Sequence, residues 1–378
     1  MVIQNPSAET APAGANSSAR SAFRPQDGRQ QNLALVIRTL YANPGLSRAD
    51  LARLTGLTRV TISDLVAELI ASGLLVETGA SNEIRPGKRA TRLQVATESR
   101  AILAVDLSGE TTLSGAIYSL AGKQLDRVES PVSKGEAALG EVKSLVRQLA
   151  KSAKAPVLGV GVGTPGTVEG SLVTAANLDW HFLDLAAELA QGSGLPVDVE
   201  NDANLAALAE WRFAGGAADL IRVQLARGVG AGLLLDGVTI TGSSGAAGEI
   251  GHVVIEHNGE PCPCGKRGCL ETWISVSALS KRFESGPESR EQILAEAGRR
   301  LGMALSPIIG MLDLVDVVVG GPEDLVTGAF LEAAQDLVLE RTGIESRRPV
   351  QLRQSTLGGD AVLLGAAALV LRTQLGVY

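Results

Sequence analysis

Apolar residues recur at helical spacing in three short blocks between residues 31 and 73, which predicts three short helices. The second block has a clear start, because Ser47 can act as an N-cap and Asp50 can complete a capping box with it. Gly56 is suited to end the same helix. Thr58 then opens the third block, so the last two helices follow one another in helix-turn-helix order.

Two strand-like runs follow the helices, at residues 74–77 and 91–95. The loop between them is basic and carries Arg85, Lys88 and Arg89. A hairpin in this place is a wing, and its tip is suited to the minor groove, where narrow A·T tracts concentrate negative potential. The pattern therefore predicts an all-α plus wing, winged helix-turn-helix DNA-binding domain.

The third helix is the candidate recognition helix, which must present short polar and basic side chains to base edges and phosphates. The residues that fit its outward face are Thr58, Arg59, Thr61 and Ser63. Those that fit its inward face are Val60, Ile62, Leu65 and Leu69. An alternative interpretation is a small helical domain that mediates protein contacts, with its arginines on a solvated face.

Strand and helix patterns alternate over the remaining part of the chain, about 280 residues, which predicts an α/β fold. Strands are predicted at 101–107 and 157–162. A hairpin is predicted to turn at Asp236-Gly237, a dipeptide that favours a type I′ turn. Helices are predicted at 136–151, 202–213, 289–312, 328–341 and 360–375.

Charge differs between the two parts of the chain, although the total is only −7. Residues 28–95 hold nine basic and five acidic side chains, a net charge of +4, whereas the residues from 96 onward carry −11. A basic module is attracted to phosphate, so this difference supports a DNA partner for the first module.

The composition of the first residues predicts a disordered tail. Residues 1–27 are rich in Ala, Ser and Pro, with some Gln and Gly, and lack the apolar core of a secretory signal. No apolar stretch approaches the roughly 20 residues needed to cross a bilayer, so we expect no membrane partner and a cytoplasmic location. The expected parts of the chain are a tail at 1–28, the winged domain at 29–95 and an α/β domain at 96–378.

The only three cysteines of the chain, Cys262, Cys264 and Cys269, lie within eight positions. An odd number at this spacing indicates a metal site or free thiols rather than a disulfide framework. Structural zinc is almost always tetrahedral, so a fourth donor is needed. The nearest strand-end candidate is His252, although His257 competes with it on distance alone and sequence spacing does not exclude it. Four protein ligands leave no open position for an activated water, so zinc is expected to be structural here.

A Gly-Glu-Ile-Gly-His run ending at His252, followed by Cys-x-Cys-Gly-x-x-Gly-Cys-x-Glu ending at Glu271, resembles the signature of the ROK family, named for repressors, open reading frames and kinases. The resemblance covers essentially residues 30–378, including the winged module of the family's repressors. It implies a two-lobed actin-like, hexokinase-type (ribonuclease H-like) α/β domain with a sugar cleft. The lobes are expected at about 101–200 plus the C-terminal helix and at about 201–355.

The resemblance also implies which side chains contact the sugar, namely Asn201, Asp202, Glu249, His252 and Glu271. His252 would then face both ways, with one ring nitrogen on zinc and the other toward a sugar hydroxyl. Asp202 corresponds to the general base of the family's kinases. From the residues alone, Asn201-Asp202 is equally suited to be an ordinary helix N-cap. Asn177 and Trp180 are further candidates for the border of the site.

Phosphoryl transfer needs glycine-rich turns that cradle nucleotide phosphates, and here the chain departs from the family's kinases. Where their first loop resembles Asp-x-Gly-Gly-Thr, this chain keeps Asp106 but has Glu110 at the end, which places a carboxylate where phosphate should lie. Where their second loop resembles Gly-Thr-Gly-x-Gly, this chain begins with Ala226 and Arg227. Arg227 is itself able to bind phosphate, so the second change is less damaging than the first.

Two further glycine patterns have a simpler explanation. Gly320-Gly321 resembles the adenosine-side turn of the kinases, but paired glycines occur wherever backbones pack closely. The glycine-rich run at 159–166 has the wrong spacing for a dinucleotide loop, so no such cofactor is expected.

These observations predict a sugar-responsive transcription factor, most simply a repressor that binds double-stranded operator DNA and is released by a small sugar effector. Winged modules commonly act in symmetric pairs on palindromic sites, so a homo-oligomer, dimer or tetramer, is expected. Catalysis is not expected. The alternative is an ATP-dependent sugar kinase of the glucokinase or amino-sugar type that has kept a DNA-binding domain.

Overall fold

The computed structural model describes residues 25–80, 91–109, 111–285, 288–344 and 348–377. The predicted wing residues Arg85, Lys88 and Arg89 lie outside these ranges, as do Glu110 and most of the predicted tail. Within the described ranges, no helix is both long enough and apolar enough to cross a membrane.

The N-terminal module combines three helices with a small antiparallel sheet. Its elements are α1 (Pro25–Ala42), β1 (Leu46–Ser47), α2 (Arg48–Thr55), α3 (Arg59–Ala71), β2 (Leu75–Ala80) and β3 (Thr91–Val95). The sheet has the order β1-β3-β2. Residues 25–28, which we predicted to belong to the tail, form the first turn of α1. The helix thus begins earlier than predicted. It begins at Pro25 because proline suits the first turn of a helix, where an N–H has no intrahelical acceptor.

The predicted caps of the helix-turn-helix are confirmed. Ser47 Oγ accepts a hydrogen bond from the Asp50 N–H at 3.2 Å, and Asp50 Oδ2 accepts one from the Ser47 N–H at 3.1 Å. Gly56 ends α2 with a φ of 73°, a left-handed conformation that glycine adopts without strain. Thr58 caps α3 by accepting a hydrogen bond from the Thr61 N–H at 3.1 Å.

One residue of α3 faces the opposite way from its prediction. Ile62, Leu65 and Leu69 are buried as expected, but Val60 is 72% exposed. Residues two apart on an α-helix are separated by roughly 200° around its axis, so Val60 and Ile62 lie on opposite faces. The prediction that Val60 faces the core is therefore wrong.

The rest of the chain forms two α/β lobes, each built on a five-stranded sheet. The elements of the first lobe are β4 (Ala101–Asp106), β5 (Thr112–Ser119), β6 (Gln124–Pro131), α4 (Gly135–Ser152), β7 (Val157–Thr164), β8 (Thr167–Glu169), β9 (Leu172–Ala175), a 3-10 turn (Ala176–Leu178), β10 (Trp180–Asp184), α5 (Leu185–Ser193) and β11 (Val197–Asn201). Its main sheet has the order β11-β7-β4-β5-β6, and β8 to β10 form a smaller sheet.

The second lobe follows helix α6 and is closed by a C-terminal helix that returns to the first lobe. The elements are α6 (Asp202–Phe213), β12 (Leu220–Leu225), β13 (Val229–Leu235), β14 (Val238–Thr239), a 3-10 turn (Ile250–His252), α7 (Glu271–Ile274), α8 (Val276–Ser285), α9 (Arg290–Leu312), β15 (Asp316–Gly320), α10 (Gly328–Thr342), β16 (Gln351–Gln354), a 3-10 turn (Gly358–Asp360) and α11 (Ala361–Leu375). The sheet order is β14-β13-β12-β15-β16. Helix α11 packs on β7, on β4 and on α6.

The predicted hairpin of the second lobe is confirmed. Asp236 and Gly237 have φ values of 51° and 69°, and a type I′ turn requires positive φ at both central residues. The strands on either side pair antiparallel, with Leu235 opposite Val238.

The first three glycines of the run at 159–166 belong to strand β7, which lies under helix α11. A Cβ at Gly161 would stand 2.2 Å from the Ala366 carbonyl oxygen of α11, and one at Gly163 would stand 2.3 Å from Val362 Cγ1. These glycines therefore let α11 approach β7 closely, and the expectation that they do not form a dinucleotide loop agrees with this packing.

Helix α6 lies between the two lobes and is held closely on both sides. A Cβ at Gly365 of α11 would stand 1.9 Å from the Leu205 carbonyl oxygen, and one at Gly232 of β13 would stand 2.3 Å from the Ala203 carbonyl oxygen. The buried Glu210 carboxylate of α6 also pairs with Arg222 Nε of β12 at 3.4 Å. Any movement of α6 must therefore displace elements of both lobes.

The winged module shares a continuous hydrophobic core with the first lobe and with α11. Tyr41, near the end of α1, donates a hydrogen bond from its Oη to the Leu120 carbonyl oxygen at 3.0 Å. The guanidinium of Arg212, near the C-terminal end of α6, lies 5.2 Å from the centroid of the Tyr41 ring. The module is thus packed against the lobes rather than joined to them by a free linker.

Candidate functional site: the interlobe cleft and its cysteine cluster

A cleft of about 1430 Å³ opens between the two lobes. On the first lobe, β4, β7 and β11 run parallel, so the carboxyl ends of β4 and β11 bring Asp106 and Asn201 to the same edge of the sheet. The predicted sugar-contacting residues all line this cleft: Asn201, Asp202, Glu249, His252 and Glu271. The fold therefore brings together side chains that are up to 70 positions apart in the chain.

Asn201 and Asp202 lie where β11 passes into α6. Asn201 Oδ1 accepts a hydrogen bond from the Asn204 N–H at 3.1 Å, so Asn201 is also the helix N-cap that its residue type suggested. Its Nδ2 donates to the Gly166 carbonyl oxygen at 2.8 Å and to Asp202 Oδ1 at 3.0 Å. Asp202 Oδ1 accepts the Ala203 N–H at 2.8 Å, whereas Oδ2 has no hydrogen-bond donor among the described residues. One carboxylate oxygen thus remains able to accept a hydrogen bond from a ligand.

Burial makes Asp202 an unusually weak acid. Loss of solvation, together with the carboxylates of Asp106 and then Glu249, raises the pKa of Asp202 to about 7. Burial also raises the pKa of Asp106, although the N–H and Oγ of Ser108 donate to its Oδ1 at 2.8 and 2.6 Å and act in the opposite direction. Near neutral pH, Asp202 is therefore divided between its acid and carboxylate forms.

Glu271 and Glu249 approach the cleft from the second lobe. Glu271 Oε2 accepts the Val229 N–H at 3.0 Å, which fixes the carboxylate at the start of β13. Glu249 Oε2 lies 3.9 Å from His252 Nε2. Carboxylates in such positions are suited to accept hydrogen bonds from the hydroxyl groups of a sugar.

A compact cluster of metal-ligating atoms lies beside these carboxylates. The ligand atoms of His252, Cys262, Cys264 and Cys269 are all within 4.8 Å of one another. Cys262 Sγ lies 3.6 Å from His252 Nδ1, and the sulfurs of Cys264 and Cys269 are also 3.6 Å apart. A tetrahedral zinc ion requires ligand atoms roughly 3.6 to 3.8 Å apart, so this donor set fits such an ion.

The structure decides between the two histidines that the sequence left open. His252 belongs to the cluster, whereas His257 is exposed and is not part of it. The Nδ1 atom of His252 faces the sulfurs, and its Nε2 atom faces Glu249. The ring therefore lies between the cysteine cluster and the cleft, and a bound metal would fix both its tautomer and its orientation.

The cysteines differ in their surroundings. Burial raises the pKa of Cys269 to about 12, whereas the Lys266 N–H, by hydrogen bonding, lowers the pKa of Cys264. Cys262 and Cys269 are buried and Cys264 is exposed. A cation at the centre of the cluster would stabilise all three as thiolates, which is the form that binds metal.

Of the two residues predicted at the border of the site, Asn177 and Trp180, only Asn177 lies there. Asn177 lines the cleft. Trp180 does not, because it is 4% exposed, lies in the core of the first lobe and donates from Nε1 to the Gly135 carbonyl oxygen at 3.0 Å. The suggestion that Trp180 borders the site is therefore wrong, and its indole is a structural element of the lobe.

The three glycine-containing turns compared with those of the kinases differ in whether they line the cleft. Ser108 and Gly109 of the first loop and Arg227 of the second loop line the cleft. A Cβ at Gly320 would stand 2.3 Å from the guanidinium of buried Arg222, so close packing explains this glycine without a nucleotide.

Several cationic residues of the cleft were not predicted from the sequence. Lys134 precedes α4, and Lys281 and Arg282 lie on α8; all three line the cleft. Arg282 stacks on the Trp273 ring at 3.9 Å from its centroid, and it donates to the Thr272 carbonyl oxygen at 3.2 Å. No local pattern identifies these residues, because Lys134 and the α8 pair are almost 150 positions apart in the chain and only the fold brings them to the same cleft.

Comparison with known proteins agrees with this architecture. A model of the ROK family matches residues 102–373, which is more than half of the chain. The chain belongs to the ROK family. A model of the MarR family matches residues 34–82, the helices and first wing strand of the N-terminal module. The chain is therefore a mixed α/β ROK domain preceded by a MarR-like winged helix, as the sequence predicted.

Relatives of this ROK protein include both regulators and kinases. It is 28% identical to the xylose repressor of Caldicellulosiruptor bescii, over 92% of this chain and 97% of the repressor. It is 31% identical to the glucokinase of Halalkalibacterium halodurans, over 70% of this chain and 93% of the glucokinase. Its structure is similar to that of a ROK family transcriptional regulator described as a homologue of E. coli MLC protein, with a TM-score of 0.82, 25% identity and coverage of 92% and 97%.

Proposed function

We propose that this ROK protein is a transcriptional repressor whose affinity for operator DNA is controlled by a sugar or sugar derivative bound in the interlobe cleft. The observation that carries the proposal is the combination of two sites in one chain. A winged helix with an exposed recognition helix is packed onto a domain whose cleft is lined by five polar side chains suited to sugar hydroxyls. A DNA-binding module has no need of a polar cleft, and a sugar-binding domain has no need of a winged helix, so their presence in one chain favours regulation of DNA binding by a sugar.

The extent of the similarities supports regulation rather than catalysis. The match to the Caldicellulosiruptor repressor spans 92% of the chain, whereas the match to the glucokinase spans 70% of it. Only the repressor match is long enough to include the N-terminal module together with the ROK domain. The altered first phosphate loop, which ends in Glu110, supports the same conclusion.

In this proposal the sugar is held by Asn201, Asp202, Glu249, His252 and Glu271. The free Asp202 Oδ2 accepts one hydroxyl, and the glutamates accept others. The His252 Nε2 atom is available on the cleft side while Nδ1 belongs to the metal cluster. We assign zinc to that cluster because three cysteine sulfurs and one imidazole gathered within 4.8 Å of one another are the donors that structural zinc prefers.

Helix α6 offers a physical connection between the sugar and the DNA-binding module. Its first residue, Asp202, lines the cleft, and Arg212 at its other end covers Tyr41 of α1. The two ends are about 15 Å apart along a single packed helix. A sugar that prefers one arrangement of the lobes will therefore bias the position of the winged module, and a coupling of about 1 to 3 kcal/mol is sufficient for regulation.

We further propose that the protein acts as a homodimer or a higher homo-oligomer on a palindromic operator. A single recognition helix reads only a few base pairs, and pairing two modules by a two-fold axis doubles the site that is read.

The proposal is tested by titrating operator binding with a panel of pentoses, hexoses and N-acetylated hexosamines. We expect one class of sugar to weaken operator binding by about 5-fold to 150-fold. If no sugar of the panel changes the affinity for DNA, the sugar-response proposal fails, even if DNA binding itself is observed.

The second candidate function is a sugar kinase, and one observation favours it. Asp202 occupies the position of the kinases' general base, and the negative charge of Asp106 raises its pKa. A coupled assay with Mg·ATP and the same sugar panel distinguishes the two functions. We expect no turnover above background. Turnover that disappears in Asp202→Asn would instead support the kinase.

The connection through α6 leads to a separate prediction. Replacing Arg212 with leucine removes the cation over the Tyr41 ring but leaves the cleft unchanged, so sugar affinity should stay within about 2-fold while most of the effect of sugar on DNA affinity is lost. Calorimetry with the active sugar and operator titrations with and without it measure the two quantities.

The matched control for this prediction is Arg299→Leu, which removes an exposed arginine of α9 that pairs with Glu296 on the same helix. It should change neither quantity. An Arg212→Leu protein with full coupling would show that the signal does not pass through this contact.

A further inference from the structure

The exposed valine of the recognition helix has no role in the fold. Val60 is 72% exposed in the first turn of α3, whereas Ile62, Leu65, Val66 and Leu69 supply the buried face of the helix. Valine is also a weaker helix former than alanine, because its branched side chain loses rotamer freedom there. Neither the packing of the module nor the stability of the helix therefore accounts for an apolar, β-branched side chain at this position.

The hydroxyl groups around Val60 are largely engaged within α3. Thr58 Oγ1 accepts the Thr61 N–H and lies 2.9 Å from Thr61 Oγ1. Ser63 Oγ donates to the Arg59 carbonyl oxygen at 2.9 Å. Because these hydroxyl groups already have partners on the helix, Arg59 and Val60 are the predominant groups that the first turn presents to solvent among the described residues.

Asp64 indicates which part of a DNA duplex the Val60 face would meet. Residues four apart lie on the same face of a helix, so Asp64 is one turn beyond Val60, and it is exposed. A carboxylate is repelled by phosphates, whereas base edges in the major groove offer amino donors that it accepts. The face that carries Val60 and Asp64 is therefore suited to the base edges, and Arg59, about 100° away from Val60, is suited to the backbone or a guanine.

We propose that Val60 is a specificity-determining residue that selects thymine by contact of its methyl groups with the C5-methyl group in the major groove. This inference rests on the proposed DNA-binding function and deepens it. Thymine is the base that carries an apolar group on its major-groove edge, and small apolar side chains recognise it there. Each half-site then contains one thymine whose methyl group, rather than its hydrogen-bonding pattern, is read by the protein.

The test begins with selection of tightly bound duplexes from a random-sequence pool by the full-length protein. The best duplex is then resynthesised with each thymine replaced singly by deoxyuridine, which lacks only the C5-methyl group. For wild-type protein, we expect one such replacement in each half-site to weaken binding about 3-fold to 5-fold, the effect of losing one buried methyl group. For Val60→Ala, we expect the same replacement to have less than about half of that effect on the dissociation constant.

Val238→Ala is the matched control, because Val238 is a valine of similar exposure, 56%, in the hairpin of the second lobe. It should show the wild-type response to deoxyuridine at every position. Equal responses of wild-type and Val60→Ala proteins at all thymines, or wild-type binding that is unaffected by every deoxyuridine, would overturn the assignment of Val60 while leaving DNA binding intact. Failure of the wild-type protein to enrich any duplex would overturn the proposed function itself, and this inference with it.

Discussion

The Cys264→Ser protein is expected to lose about one zinc ion per chain, together with most of its response to sugar. Structural zinc in a four-ligand site contributes about 10 to 16 kcal/mol of apparent binding free energy, and a hydroxyl group is a poor replacement for one of three thiolates. Because His252 belongs to the same cluster and also reaches Glu249 in the cleft, loss of the ion also releases a predicted sugar contact. Elemental analysis of purified protein and operator titration with the active sugar measure the two losses.

The two histidines supply the controls for the metal prediction. His252→Ala should lose zinc as Cys264→Ser does, because it removes the fourth ligand. His257→Ala should keep about one ion per chain, because His257 lies outside the cluster. Unchanged zinc content in Cys264→Ser, or loss of zinc in His257→Ala, would show that the ligand set is misassigned.

Replacing Asp202 with asparagine is expected to abolish the sugar response and, at the same time, to stabilise the protein above neutral pH. The pKa of Asp202 is about 7 in the folded protein, against an ordinary value of 3.8. The folded state therefore binds the proton more tightly than the unfolded state. The stability that this proton provides is fully present below about pH 4 and is lost as the pH rises through 7. Asparagine resembles the neutral acid at every pH, so the variant should avoid this loss.

The size of the effect follows from the shift in pKa. It corresponds to a few kcal/mol at most, and unfolding by denaturant at pH 5 and pH 8 is the measurement. We expect the difference between Asp202→Asn and wild-type protein to be less than half as large at pH 5 as at pH 8, because the loss begins above the unfolded pKa of 3.8 and is nearly complete above the folded pKa of about 7. The groups that set this pKa besides burial are Asp106 and Glu249, and the buried Arg222 also interacts with Asp202.

The control for the pH prediction is Asp324→Asn, which changes a carboxylate whose side chain is 71% exposed and pairs with Arg290. It should show no such rise in stability at pH 8. A full sugar response in Asp202→Asn would contradict the assignment of Asp202 as a ligand acceptor. A variant that is less stable than wild type at pH 8 would contradict the account of its burial.

The elements that were predicted well depend on neighbours within a few residues. The capping box of Ser47 and Asp50 and the type I′ turn at Asp236-Gly237 involve contacts over four positions or fewer. The helix predicted at 202–213 has the observed bounds of α6. Local hydrogen bonding and side-chain periodicity decide such features, and both can be read along the chain.

The predictions that failed concern the direction of a side chain. Val60 was assigned to the core and is exposed, and Trp180 was assigned to the border of the cleft and is buried. The residues around Val60 form the predicted helix, and Trp180 begins strand β10. What the sequence does not contain is the position of the other elements that cover one face and leave another open.

The sequence by itself determined the helix-turn-helix order, the alternation of an α/β domain, and the residue types of the proposed zinc site and the proposed sugar cleft, because caps, turns and motifs are local. Only the tertiary structure decided that His252 rather than His257 completes the cysteine cluster. It alone also joined the cleft to the winged module through α6 and gave Asp202 a pKa near 7. These properties depend on distance and on exclusion of water, and both are fixed only when segments far apart in the chain pack together.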